Sequence, residues 1–270
     1  MSYKIFIYTA LPCEAKPLVE HFKLKKRLDV QAFAVYEHDR LCLTVTGVGK
    51  NAMAAGVAYT QALFNGVENP ILINIGIAGH RDYALGDLYL VDKIIDADSH
   101  KSYYPPLIAK ALCPSSAIQT ASKPQLDYHH ADLCDMEASA FYEIATRFTT
   151  GELVQCLKVI SDNQQSPANL INAKQVSLLI AAQLATIEAI INQVVALTEL
   201  LLTPNTPLFE QLSQQYHFTV SAKMQLKALL ARWAVLTDNQ VLPINEAELH
   251  NGKEVLRWLE QQHAKLAVFL

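Results

Sequence analysis

Ile71-Leu72-Ile73-Asn74-Ile75-Gly76-Ile77-Ala78-Gly79 is the stretch that decides the fold. Its apolar, isoleucine-rich part, residues 71–77, reads as a strand, and two glycines, Gly76 and Gly79, stand at its end, where a strand end can form a site. Working outward, comparable apolar runs stand at residues 4–11, 31–36, 41–48, 88–96 and 154–160. Between them lie helical patterns: an alanine-rich segment at 51–64, apolar residues at helical spacing over 137–147, and a long helix from 167 or 168 to about 202. Strands alternating with helices predict an α/β fold with a mixed, largely parallel central sheet flanked by helices. Ligands of such sheets bind beyond the carboxyl ends of the strands, so the residues after each run are the ones to inspect.

The texture changes after Leu202. Thr203, Pro204, Asn205, Thr206 and Pro207 form a breaker cluster, followed by glutamine- and leucine-rich patterns at 208–216, 223–236 and 246–268. The expectation is an α/β domain over 1–202 and a small α-helical C-terminal appendage over 203–270 of two or three amphipathic helices.

Composition narrows the function. The 270 residues are 51% hydrophobic and 18% charged, enough to bury a core and outside the disordered range. A formal net charge of -4 supplies no basic field, so nucleic acid is not an expected partner. Cys13, Cys42, Cys113, Cys134 and Cys156 are odd in number and set mostly in apolar stretches, as reduced core thiols would be. The N-terminus lacks the apolar core and cleavage site of a signal peptide, and Gln183, Glu188, Asn192, Gln193 and Glu199 interrupt the apolar stretch 177–202 too often for a lipid span. A cytoplasmic protein with no membrane partner is the expectation.

Three acids stand at strand ends or helix starts: Glu14, Glu137 and Asp162. Breaking an N-glycosidic bond needs a proton for the departing base, stabilisation of a cation-like sugar, and a nucleophile on the opposite face, and three separated acids can share that work. An acid that keeps its proton near neutral pH needs a partly desolvated setting, which the apolar run before Asp162 can supply. Other readings are weaker. Gly47-Val48-Gly49-Lys50 fails as a Walker loop because Thr44 and Asn51 stand at required glycine and hydroxyl positions. His129, His130, Asp132 and Cys134 have no established metal-ligand spacing, and Cys13 has no histidine spaced near it.

The ordered set Ala10-Leu11-Pro12-Cys13-Glu14, Thr46-Gly47-Val48-Gly49-Lys50, Asn74-Ile75-Gly76-Ile77-Ala78-Gly79, Gly86-Asp87, Asp96-Ala97-Asp98, Asp135-Met136-Glu137-Ala138 and Ile160-Ser161-Asp162 resembles the 5'-methylthioadenosine/S-adenosylhomocysteine nucleosidases and their purine nucleoside phosphorylase relatives. The resemblance spans residues 3 to 200 and implies the nucleoside phosphorylase-like fold. By it, Glu14 corresponds to the acid that activates water and Asp162, beside Ser161, to the acid that protonates N7 of a purine. Met136 and Glu137 would cover the ribose, Glu137 accepting from its 2' and 3' hydroxyls. Gly47 and Gly49 would let the backbone approach the anomeric carbon. Ile77, Ala78 and Gly79 would line the same pocket, and Gly76-Ile77-Ala78-Gly79 is closest to the futalosine hydrolase branch.

The family's phosphate-binding arginine segments are unmatched, Lys16 and Arg81 being off pattern, so water is favoured over phosphate as the nucleophile. The implied ligand is a small purine nucleoside of the methylthioadenosine, S-adenosylhomocysteine, 5'-deoxyadenosine or futalosine type. No metal or organic cofactor is implied, and a homodimer is expected from the family. A phosphorylase and a non-catalytic nucleoside-binding module remain alternatives.

Overall fold

The computed structural model describes residues 4–108, 112–129, 131–201, 207–238, 240–244 and 249–266. In chain order its strands are β1 (Ile5–Thr9), β2 (Lys25–Lys26), β3 (Ala34–His38), β4 (Leu41–Val45), β5 (Ile71–Gly79), β6 (Leu88–Asp96), β7 (Ser102–Tyr103), β8 (Ser115–Thr120), β9 (Leu133–Asp135) and β10 (Val154–Asp162). The α-helices are α1 (Pro12–His21), α2 (Lys50–Leu63), α3 (Ala138–Ala145), α4 (Ala173–Ala182), α5 (Leu184–Leu201), α6 (Pro207–Gln215), α7 (Val220–Leu236) and α8 (Gly252–Leu266). They divide into two units, Met1–Glu199 and Leu200–Leu270.

In the first unit the parallel strands β4, β1, β5 and β10 form the spine of a mixed sheet. β5, β10, β6, β8 and β9 are paired in a closed cycle, while β3 and β2 extend the open side beyond β4. Side-chain alternation sorts the core onto two faces. Ile5 and Ile7 of β1, Ile71, Ile73 and Ile75 of β5, and Leu157 and Val159 of β10 pack with α1, α4 and α5. Phe6, Tyr8, Leu72 and Cys156 face α2 and α3 on the other side.

The stripe Ile187, Ile190, Ile191 and Val194 of α5 is fully or nearly fully buried and recurs at i, i+3, i+4 and i+7. Each such side chain stabilises the fold by about 1.5–3 kcal/mol.

The single long helix expected over 167–202 is instead two, α4 and α5, bent by 56° at a break around Gln183. Gln183 caps α4 rather than continuing it, and its side-chain amide donates to the Gly86 carbonyl at 2.7 Å, an interaction that periodicity does not register. Among the described residues no single helix is long and apolar enough to cross a membrane, though the bent pair passes such a test jointly by length and composition.

The strand expected from residue 31 begins only at Ala34, and β8 and β9 were not expected as strands. The breaker residues 203–206, and His130 of the possible metal group, lie outside the described residues.

The second unit has its own core. Leu212, Phe218, Leu226, Leu230, Val255, Leu256 and Leu259 of α6, α7, α8 and the turns between them are buried together. Thr219 caps α7 by accepting from the Ala222 amide at 3.2 Å, and Asn251 caps α8 by accepting from the Glu254 amide at 3.0 Å. Residues 246–248 and 267–268 of the expected last helix lie outside the described residues.

Candidate active site

β5 changes neighbours along one edge. β1 pairs with it from Ile71 to Asn74, β9 pairs with it only at Gly79, and the edge between them carries no strand. A buried amide there needs another acceptor. Glu14 supplies it: one oxygen accepts from the Ile77 amide at 2.9 Å, and the other accepts from the Ala10 and Leu11 amides at 2.8 Å each. The sequence fixes this locally, because Pro12 starts α1, Leu11 is its N-cap residue, and Glu14 reaches back to the cap amide.

Glu14 is only 2% exposed. Burial pushes its carboxyl above the ordinary glutamate value, opposed by the Leu11 and Ile77 amides, the Lys158 charge and the Ala10 amide.

Beside it lies a charge cluster built from β9, α3 and β10. Lys158, fully buried in mid-β10, pairs with Asp135 at 2.8 Å. Asp135 also accepts from the Thr120 hydroxyl at 2.7 Å and the Ala138 amide at 2.8 Å, the latter at the start of α3. Glu137 accepts from the Gly49 amide at 2.7 Å. Burial, then the nearby Asp135 charge, push Glu137 up to about 7. Gly47 and Gly49 both adopt left-handed φ, +91° and +96°, a conformation that favours glycine.

Asp162 ends β10. One oxygen accepts from the Tyr128 hydroxyl at 2.7 Å, and the other is bonded by the neighbouring Ser161 hydroxyl. The backbone comes very close: a methyl group at Gly79 would lie 2.5 Å from Asp162 Oδ2, and one at Gly76 would lie 3.0 Å from Glu14 Oε1. Glycine is required at both places by approach rather than by φ.

Glu14, Glu137, Asp162, Met136, Ile77, Ala78, Gly79 and Ser161 line one pocket, joined by Ala10, Leu11, Val48, Pro124, Gln125, Cys134, Asp135 and Ala168. It spans about 660 Å³ including its open mouth, within the range of small-molecule sites. Gly47 and Gly49 do not line it themselves. They position Val48, which does, and the amide that holds Glu137.

Residues 4–127 match the family model of the phosphorylase superfamily. The match covers the first five strands and more of the α/β unit, and stops short of β9, α3 and β10. In fold, the chain is similar to a mutant of the Helicobacter pylori enzyme MTAN solved with 5'-methylthioadenosine in its active site, at TM-score 0.59 and 13% identity, covering 72% of this chain and 100% of that one. It is similar to the futalosine hydrolase of Helicobacter pylori strain 26695, at TM-score 0.58 and 14% identity, covering 72% and 99%. It is also similar to Arabidopsis thaliana 5'-methylthioadenosine nucleosidase in apo form, at TM-score 0.58 and 20% identity, covering 72% and 96%. No curated protein matches it in sequence.

Several parts of the site carry little signal in the sequence. Lys158 was visible only as a lone lysine inside an apolar run, which was its one signal. Tyr103, Tyr104 and Tyr128, the aromatic side chains in the segment between β6 and β9, do not line the pocket. Tyr103 packs against Tyr142, Tyr104 is 67% exposed, and Tyr128 turns its hydroxyl onto Asp162. The Asp96-Ala97-Asp98 motif does structural work: Asp96 accepts from Lys50 at 3.0 Å and from the Ser139 hydroxyl at 2.7 Å, tying β6 to the starts of α2 and α3.

Proposed function

We propose that the protein is a nucleosidase that hydrolyses the N-glycosidic bond of a purine nucleoside. One observation carries the reading: among the described residues four carboxyl groups, Glu14, Asp135, Glu137 and Asp162, line the pocket and no lysine or arginine does. A phosphate dianion in that setting would meet repulsion, the nearby Lys158 being already paired with Asp135, whereas water would meet a base. Lys16 is exposed and 4.0 Å from Glu20, Arg81 is bound to Asp82 at 2.8 Å, and Lys50 is engaged by Asp96 and Asp98.

Glu14 is suited to activating that water. A carboxylate offers about four acceptor positions, and three of Glu14's are taken by fixed amides. Glu14 lines the pocket, so the remaining one can take a proton from a water bound there, and burial makes the carboxylate a readier proton acceptor. As the water oxygen bonds to the anomeric carbon, the bond to N9 of the base breaks and its electron pair moves into the base. Asp162 gives its proton to N7, and the proton taken by Glu14 restores the balance through solvent. Glu137 would accept from the ribose diol, and those contacts strengthen as positive charge grows on the sugar.

Methylthioadenosine, S-adenosylhomocysteine, 5'-deoxyadenosine and futalosine, supplied in phosphate-free buffer, test the proposal by release of free base. Release by the wild type, lost by at least about a hundredfold in Glu14→Gln and Asp162→Asn, is expected. Release that requires added phosphate would make the protein a phosphorylase instead, and binding without turnover across the panel would make it a nucleoside-binding module.

A further inference from the structure

Tyr128 lies outside the resemblance's motifs, yet its hydroxyl is placed in a directional chain. The Ala168 amide donates to the Tyr128 oxygen at 2.9 Å, and the Tyr128 hydroxyl donates to Asp162 Oδ2 at 2.7 Å. The first bond fixes the sense of the second, because a phenol oxygen that already accepts from an amide turns its own hydrogen toward the carboxyl. The residue holds this position in an unfavourable backbone conformation, φ +49°, in which a bulky side chain is seldom found. The ring is buried, and burial followed by the bond to Asp162 pushes the phenol up to about 12, so it stays a donor through the neutral range.

We propose that Tyr128 is the positioning residue of the acid: by donating to Asp162 Oδ2 it places the transferable proton on Oδ1 and stabilises the carboxylate left when that proton departs. The inference rests on the reading that Asp162 protonates the leaving base. An oxygen that accepts a strong hydrogen bond is the carbonyl-like oxygen of a carboxylic acid, so the proton resides on the other one. There the Ser161 hydroxyl can rotate to accept or to donate as the proton leaves. As negative charge develops on Asp162 the Tyr128 bond strengthens, an interaction worth more in the transition state than in the ground state.

The same chain of bonds ties the segment after β10 to the acid, since Ala168 both holds Tyr128 and lines the pocket. The titratable groups around Asp162 are Tyr128 itself, Cys134 and Asp135 of β9, and His80 just beyond β5. The His80 ring is engaged by the Asp82 and Tyr83 amides and the Ala131 carbonyl.

The test compares wild type, Tyr128→Phe and Asp162→Asn with methylthioadenosine over a range of pH. In Tyr128→Phe, kcat is expected to fall by about ten- to a hundredfold with KM changed less than about threefold. The alkaline limb of kcat/KM is expected to rise by about one to two pH units, the size of a hydrogen bond to a charged group. A residue that merely packs would lower the rate without moving that limb. A limb at the wild-type position, or a loss confined to KM, overturns the proposal.

Fluorine NMR of protein carrying 3-fluorotyrosine gives a readout that needs no turnover. The Tyr128 signal, assigned by its loss in Tyr128→Phe, should titrate lower in Asp162→Asn than in wild type, and an unchanged titration overturns the proposal. If wild type releases no base at all, the nucleosidase reading fails while the NMR measurement still decides whether Tyr128 donates to Asp162.

Discussion

Replacing Gly79 by alanine tests whether the position of Asp162 is what the reaction needs. The added methyl would sit 2.5 Å from Asp162 Oδ2 and 3.2 Å from its Cγ, where ordinary contact begins near 3.4 Å. The carboxyl must therefore retreat by 3.4 − 2.5 = 0.9 Å. The Tyr128 bond, 2.7 Å long, cannot stretch that far and remain a hydrogen bond. A displacement of about 1 Å at a reacting group costs roughly a hundredfold in rate, so kcat in Gly79→Ala should fall by about that factor with KM little changed.

Stability should fall by no more than about 2–3 kcal/mol. Gly79 is not among the residues with positive φ, so alanine fits the backbone and gains about 0.4–1 kcal/mol through the unfolded state, against about 1–3 kcal/mol for the overpacking. Gly76→Ala is the graded control. Its methyl would lie 3.0 Å from Glu14 Oε1, demanding about 0.4 Å of movement, and its loss of kcat should be nearer tenfold. Base release from methylthioadenosine gives kcat and KM, and urea unfolding gives stability. Wild-type kcat in Gly79→Ala, or a larger loss in Gly76→Ala than in Gly79→Ala, would refute the reasoning.

Lys158→Met should cost about 3–5 kcal/mol in urea unfolding, because Asp135 then keeps a buried charge with only the Thr120 hydroxyl and the Ala138 amide to hold it; Lys158→Arg should recover part of that loss. Glu137, pushed up to about 7 from 4.5, makes the folded state bind more protons than the unfolded one between those values, so its contribution is complete below about 4.5 and is lost as pH rises through 7. Glu137→Gln should therefore match wild type in stability near pH 4.5 and exceed it by up to about 3 kcal/mol near pH 8, from about 2.5 units at 1.36 kcal/mol each; equal slopes of stability against pH would contradict this.

In the second unit the His263 ring is buried, and burial followed by the Arg232 charge pulls its titration below the ordinary histidine value, opposed by the Leu229 backbone and the Glu260 charge. The unfolded chain then takes up the proton first, so this unit should lose stability as pH falls through about 6.5. Fluorescence of Trp233 and Trp258 during urea unfolding should show that loss in wild type and not in His263→Phe.

The strands that form the spine were readable because burial on both faces leaves nearly continuous apolar runs, as in residues 71–77 and 154–160. β8 and β9 were not, since four of the six residues of Ser115–Thr120 are polar and Leu133–Asp135 is three residues long. They are strands because the closed cycle supplies neighbours for them, and pairing between distant segments leaves no period in the sequence. The acids were readable by type and by order, but their setting was not. That Glu14 is held by three amides depends on a gap between β1 and β9 along β5, a fact of sheet topology. Tyr128 stands in no motif, and the placement of its hydroxyl depends on a left-handed backbone turn that only the folded chain reveals.

The gap in the sheet also accounts for the electrostatics of the site. A strand edge left unpaired inside a fold exposes amides that favour a carboxylate, and Glu14 fills that role at the cost of burial. Asp135 and Glu137 enter the same region from the other side, because β9 ends there and α3 begins there. Three buried carboxyls then share Lys158 as the close cation, and it is bonded directly only to Asp135. The remaining imbalance falls on Glu14 and Glu137, both pushed upward, and Glu137 receives one backbone donor where Glu14 receives three. A ligand bringing a pair of hydroxyl donors to Glu137 would offset that deficit, whereas a bound anion would deepen it. On the proposed nucleosidase reading, this arrangement would favour a neutral sugar diol over phosphate.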